Sequence, residues 1–185
     1  MAALIGMDDA AVVELCESIT GVRISEAVNF NAPGQVAISG HLDALEATLI
    51  KAREQGCRKA LMLAVSVPNH SSLMRPAGIE LATTIDSIDW AEPSRPLLQN
   101  ATAAAAPDLP TLLTHLKAHV YNLVYWTRTI ESLRDNHGII TVLEAGPGKV
   151  LTGLAKRIDR SLPTLPVDSP ENLAAAMDAV TAATA

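Results

Sequence analysis

The sequence predicts an α/β protein in two parts, and three observations carry that expectation. Segments rich in β-formers alternate along the chain with segments whose apolar residues recur at helical spacing. Hydrophobic residues make up 49% of the 185 residues and charged residues only 18%, the balance of a packed core rather than of a disordered chain. No apolar run approaches the ~20 residues that span a bilayer.

The first part reads as strand, helix, two strands, helix, strand. Met1–Ile5 is a short apolar run closed by Gly6. Asp8 and Asp9 suit a helix N-terminus, where acid meets free N–H groups and the positive end of the dipole. Ala11, Val12, Leu15, Cys16 and Ile19 repeat at helical spacing, and Gly21 stops the run. Val22–Phe30 is rich in β-formers, Ala32-Pro33-Gly34 is a turn, and Gln35–Ser39 returns as a second strand. Leu42, Leu45, Leu49 and Ile50 mark another helix, stopped at Gly56, and Arg58–Val67 is a last strand, nearly all apolar at its centre. That order belongs to the split βαβ, ferredoxin-like unit, with two helices on one face of a four-stranded antiparallel sheet. Residues 1–67 are expected to form it.

The second part, 68–185, changes character. Pro68 and Pro76 bracket a turn, and a helix is expected over about Leu73–Ile88. Leu97–Asn100 is a short strand candidate, Ala101–Pro110 a surface loop, and Leu112–Trp126 and Thr127–Asp135 are helices. Ile139–Ala145 is predicted as a buried strand, Lys149–Ile158 as a helix, Leu162–Val167 as a further strand and Leu173–Val180 as a terminal helix. Strands alternating with helices suggest a parallel sheet covered on both faces. About three strand candidates are few for such a sheet.

Composition narrows the function. Fourteen Lys and Arg against 20 Asp and Glu give a formal charge of −6, which argues against nucleic acid as a partner. The N-terminus meets acid at once and has no basic region, so no signal peptide is expected. Cys16 and Cys57 are expected as reduced thiols, and the protein as soluble and cytoplasmic, with no membrane association.

His70 is the sharpest chemical feature. It directly follows an apolar strand, in Val65-Ser66-Val67-Pro68-Asn69-His70, and functional side chains in α/β sheets sit beyond the carboxyl ends of strands. A neutral imidazole there can act as a general base near pH 7. The competing reading is a capping or surface histidine at a helix start. Gly146-Pro147-Gly148-Lys149 is not a phosphate loop, because Leu143 and Val150 stand where that motif needs Gly and Ser or Thr. His115 and His119 lie four apart on an expected helix, but no third ligand at zinc spacing is visible, so no metal is expected. Asn31 flanks a turn, and Lys149, Lys156, Arg157 and Arg160 form a small basic cluster. No G-x-S-x-G elbow occurs in the chain, and neither Ser71 nor Ser72 is flanked by glycine.

Three segments carry a resemblance. They are Asn29-Phe30-Asn31-Ala32-Pro33-Gly34-Gln35-Val36, Val65 through Met74, and Glu144-Ala145-Gly146-Pro147-Gly148-Lys149-Val150-Leu151-Thr152-Gly153-Leu154. Tyr121-Asn122 and Val124 to Trp126 fit the same pattern. In that order they resemble the malonyl-CoA:acyl carrier protein transacylases of bacterial fatty-acid synthesis, over essentially the whole chain. The resemblance implies a ferredoxin-like small subdomain, 1–67, followed by the C-terminal part of an α/β-hydrolase-like large subdomain, 68–185. It implies an acyltransferase acting on malonyl-CoA and acyl carrier protein, without a cofactor. The chemistry would be ping-pong acyl transfer by a Ser–His pair, with His70 as the base and the main-chain carbonyl of His119 orienting it. Asn31 becomes a candidate substrate contact. Lys149, Lys156, Arg157 and Arg160 become candidate contacts for the acidic carrier protein.

Departures accompany the resemblance. His119 stands where Gln is usual, Asn69 where Ser is commoner and Leu123 where Pro is expected. The family's serine elbow, its glutamine-bearing loop and its carboxylate-binding arginine have no counterpart. The resemblance therefore implies a C-terminal portion of such an enzyme, inactive alone. The alternative is a non-catalytic module that binds acyl carrier protein or CoA.

Overall fold

Four N-terminal strands build one antiparallel sheet. The computed structural model describes residues 1–19, 21 and 23–184. Strands β1 (Ala2–Ile5), β2 (Ser25–Ala32), β3 (Gln35–Gly40) and β4 (Lys59–Met62) lie in the order β2-β3-β1-β4. Every pairing is antiparallel. Helices α1 (Asp9–Glu17) and α2 (Leu42–Glu54) make the two crossovers. Asp8 caps α1 by accepting the Ala10 N–H at 3.0 Å. The helix closes before Gly21, where Ser18 Oγ donates to Leu15 O at 2.7 Å. Val22, expected to begin the second strand, lies outside the described residues, and β2 begins at Ser25.

Alternation along β1 and β3 turns Ala2, Leu4, Val36 and Ile38 toward one core, where they meet Val12 and Leu15 of α1 and Leu45 and Leu49 of α2. One polar thread runs through it. Ser25 Oγ lies 2.9 Å from Thr48 Oγ1 and donates to Cys16 Sγ at 3.6 Å. Burial pushes the Cys16 thiol up to about 11, so it stays protonated at neutral pH. Cys16 and Cys57 are both buried and unbridged.

The last strand of this sheet is shorter than Arg58–Val67. Ile5 pairs with Lys59 and Ala2 with Met62, so β4 is matched to the four residues of β1, and Leu63 N–H donates to Met1 O just beyond the pairing. A 3₁₀ turn over Ser72–Met74 leads into α3 (Arg75–Asp86), with Pro76 in its first turn. The expected loop at 101–110 contains β6 (Ala104–Ala105), paired antiparallel with β5 (Leu98–Gln99). Asp108 caps α4 (Leu109–Ala118) by accepting the Thr111 N–H at 2.8 Å.

The helix expected over Leu112–Trp126 does not continue. It gives way to a 3₁₀ turn at His119–Tyr121, and Asn122 is extended, with φ −103° and ψ 155°. The reason is tertiary. Val124 lies along β2, with Phe30 N–H donating to Val124 O at 2.8 Å and Val124 N–H donating to Val28 O at 2.8 Å.

The chain divides into two compact units, Met1–Trp126 and Thr127–Ala185. The second holds most of α5 (Trp126–Asp135), then β7 (Val142–Glu144), α6 (Val150–Ile158), β8 (Thr164–Pro166) and α7 (Pro170–Thr184). β7 and β8 form one parallel pair. The strand expected over Ile139–Ala145 is only three residues long, and Leu143 is 45% exposed rather than buried, because β7 has one neighbour strand among the described residues. Glu144 closes the turn after β7 by accepting the N–H groups of Leu151 and Thr152 at 3.0 and 2.7 Å. No described helix is long and apolar enough to cross a membrane.

Leu45→Ala removes a side chain that is 1% exposed at the centre of the first core. Chemical denaturation is expected to show a loss of about 2–5 kcal/mol with an unchanged m-value.

Candidate functional site

The residues around His70 come from four stretches of the first unit. The histidine itself takes φ 66°, a left-handed backbone that costs a non-glycine residue about 1–2 kcal/mol. Its own N–H donates to Val120 O at 2.9 Å. The following Ser71 is fully buried, and its Oγ donates to Pro68 O at 2.7 Å. Ser72 is held from β2, where the two Glu26 carboxylate oxygens accept its N–H at 2.7 Å and its Oγ–H at 2.6 Å.

The imidazole is fixed as firmly as the backbone. Nδ1 lies 3.2 Å from His119 O and 3.1 Å from Asn122 O. Two carbonyl oxygens can only accept, so Nδ1 carries the proton and Nε2 keeps its lone pair. The His119 ring stands edge-on to that of His70, with centroids 5.4 Å apart and an angle of 86°. Burial first, and the charge of His70 second, lower the His119 pKa below 6.5.

A cleft of about 420 Å³ opens beside this pair, lined by Glu26, Phe30, His70, Arg75, Tyr121 and Tyr125 among others. Phe30 and Tyr125 stack with centroids 5.2 Å apart, and the Arg75 guanidinium lies 4.9 Å from the Tyr121 ring centre. Gly78 on α3 permits the approach of Tyr121, since a Cβ there would come within 2.4 Å of that ring.

The other sequence candidates fall as follows. His119 enters through both its carbonyl and its ring, but from a 3₁₀ turn rather than a helix shared with His115. Among the described residues, no group of three His, Cys, Asp or Glu could hold a metal. Asn31 is half-buried on β2 and is not among the residues lining the cleft. Lys149, Lys156, Arg157 and Arg160 are exposed around α6 in the second unit. Ser71 and Ser72 direct their hydroxyl protons to Pro68 and Glu26, not to the imidazole. Sequence reasoning missed Asn122 O, Val120 O and Glu26. The Tyr121-Asn122 pair was a signal for the first, whereas nothing local marks the other two.

A pH experiment tests the His119 environment. A base with a lowered folded pKa binds fewer protons folded than unfolded, so its contribution is complete above pH 6.5 and is lost as pH falls through the folded value. Thermal melts are expected to decline as pH drops below about 6.5, and His119→Gln is expected to flatten that decline. A variant that melts with the wild-type pH profile would show that His119 is not so buried.

Comparison with known proteins agrees across sequence and structure. No family model matches the chain. It is 38% identical over 178 residues to the malonyl CoA-acyl carrier protein transacylase of Escherichia coli K12, covering 96% of this chain and 57% of that protein. The Bacillus subtilis transacylase is 34% identical over 174 residues, 94% of this chain and 55% of that protein. Among solved structures, the malonyl-CoA:acyl carrier protein transacylase of Xanthomonas oryzae superposes with a TM-score of 0.93 at 40% identity, covering 96% of this chain and 56% of that one. A malonyl-transacylase in complex with its type II PKS acyl-carrier protein gives 0.92 at 36% identity, over 96% of this chain and 57% of that one. The chain thus spans somewhat over half the length of the relatives it matches. By sequence and by fold, the chain is similar to the bacterial malonyl-CoA:acyl carrier protein transacylases over somewhat more than half of their length.

Proposed function

We propose that this chain supplies the general base for transfer of a malonyl group from malonyl-CoA to the phosphopantetheine thiol of acyl carrier protein. The observation that carries the reading is the His70 imidazole, whose Nδ1 is pinned against two main-chain carbonyls beside an open cleft. The homology to transacylases gives that base its reaction. The nucleophile is assigned to a serine on polypeptide beyond these 185 residues, since the chain has no elbow motif and its two nearest serines are engaged.

The chemistry runs in two halves. His70 Nε2 takes the serine proton as the oxygen attacks the malonyl thioester carbonyl. Backbone N–H groups hold the oxyanion. The C–S bond breaks, the CoA thiolate takes the proton from His70, and malonyl-serine remains. In the second half His70 takes the carrier-protein thiol proton, the sulfur attacks the ester, and the serine oxygen leaves with that proton. His119 O and Asn122 O orient the ring throughout. Asn31 follows the cleft residue Phe30 on β2 and is proposed as a substrate contact at the edge of the cleft.

Architecture follows the same reading. Residues 1–67 act as a ferredoxin-like small subdomain, supported by the strand order β2-β3-β1-β4 with two crossover helices. Residues 68–185 act as the C-terminal part of an α/β-hydrolase-like large subdomain, and the enzyme works in the cytoplasm.

A second reading rests on the exposed Lys149, Lys156, Arg157 and Arg160 around one helix, which suit an acidic partner. There the chain is a module that binds acyl carrier protein or CoA without chemistry.

The test mixes this chain with a polypeptide that carries the elbow segment of a relative and measures malonyl exchange between malonyl-CoA and carrier protein. Exchange is expected in the mixture and not from the chain alone, and His70→Ala is expected to lower it about 10²–10⁴-fold. A reconstituted protein that exchanges equally well without the imidazole refutes the reading. Carrier-protein binding that weakens with salt and on neutralising the four cations, without any exchange, would favour the module.

A further inference from the structure

We infer that Glu26 is a positioning residue for His70, acting from β2 through Ser72 to hold the imidazole in its working orientation. The inference rests on the proposed role of His70 and adds to it a residue outside every motif of the sequence. A carboxylate that accepts two hydrogen bonds from one residue is a strong and directional tie, because both are charge-assisted and both are short, at 2.7 and 2.6 Å. It joins positions 46 residues apart. It also fixes the segment just after a strained residue, since His70 itself takes φ 66°.

Ties at three successive residues hold this turn. Val120 O holds the His70 N–H, Pro68 O holds the Ser71 Oγ–H, and Glu26 holds Ser72. The first two lie within the turn or on the 3₁₀ segment that follows α4. Only the third reaches the four-stranded sheet. The same strand also holds Val124 through Phe30 and Val28, and the segment ending there supplies Asn122 O and, just before it, His119 O. β2 therefore fixes the imidazole on one side and its two acceptors on the other. Losing the Glu26 tie frees one side only. The ring then moves relative to its acceptors, and Nδ1–H is no longer imposed as the tautomer.

Imidazole NMR on the full chain, with ¹⁵N-labelled histidine, reads this directly and does not depend on any activity. In the wild type, His70 is expected to show one Nδ1–H tautomer with a slowly exchanging proton. Glu26→Ala is expected to give a tautomer mixture and exchange faster by about tenfold, the factor that a loss of roughly 1.4 kcal/mol in the closed state produces. Glu26→Gln keeps one acceptor oxygen for Ser72 without the charge and is expected to fall between the wild type and Glu26→Ala. Ile38→Val, buried on β3 away from the turn, serves as the stability control and is expected to lower the melting temperature while leaving the His70 signals alone. Should Glu26→Ala not fold, Ser72→Ala removes the Oγ–H donor only and is expected to give an intermediate exchange rate. A wild-type His70 spectrum in folded Glu26→Ala, or in Ser72→Ala where Glu26→Ala does not fold, or the same change in Ile38→Val, would overturn the inference. Failure of malonyl exchange with the predicted NMR changes intact would instead count against the reaction and not against the tie.

Discussion

Two hydrogen bonds at the edge of β2 govern the chemistry-bearing half of the first unit. They run from Phe30 N–H to Val124 O and from Val124 N–H to Val28 O, each 2.8 Å long. Were they absent, the apolar run after α4 could stay helical. The carbonyl of His119 would then accept the N–H of residue 123, as every helical carbonyl accepts from four residues on. Drawing Val124 onto the sheet prevents this. His119 O keeps only a long 3.4 Å contact from the Asn122 N–H, and its remaining lone-pair capacity faces the imidazole. A buried carbonyl without a partner is unfavourable, so the freed acceptors and the Nδ1–H of His70 satisfy each other.

Magnitudes show why the turn at His70 tolerates its strain. A left-handed histidine costs about 1–2 kcal/mol. A hydrogen bond within the protein returns about 0.5–1.5 kcal/mol net, and one to a charged group about 1.5–3. The bonds to Val120 O and Pro68 O together with those to Glu26 exceed the strain, although Ser72 and Glu26 remain partly in water and their share is reduced accordingly. The backbone conformation is thus imposed from outside the residue. That is the usual condition under which a strained side-chain direction persists.

Much of the scaffold was legible because its signals are local. The period of Val12, Leu15, Cys16 and of Leu45, Leu49 is a helical period wherever it occurs, and Ala32-Pro33-Gly34 turns the chain on its own stereochemistry. His70 was visible because Pro68 ends an apolar run two residues earlier. What escaped depended on distant partners. Leu112 to Trp126 has helical spacing throughout, and only the pairing of Val124 with β2 breaks it. β4 stops where its neighbour β1 ends, which a run of apolar residues cannot reveal. Glu26 carries no motif, and its meaning comes from a serine on the far side of the sheet's connections. Pairing across the fold overrides propensity at each of these points.

The nature of the acceptor bears on how a base of the proposed kind works. A carboxylate behind an imidazole would hold the imidazolium by a full charge. A carbonyl offers only a dipole, and it does not titrate, so the tautomer it imposes persists across the pH range in which the ring remains neutral. For a reaction in which one imidazole must accept and surrender a proton in each half, a partner that orients without trapping keeps both transfers accessible. The neighbouring His119 fits the same logic. Burial holds it neutral, so it adds a ring beside His70 without adding a competing charge. Arg75 lies over Tyr121 and the Glu26 carboxylate is engaged by Ser72, so neither of these charges is directed at the His70 ring that lines the same cleft.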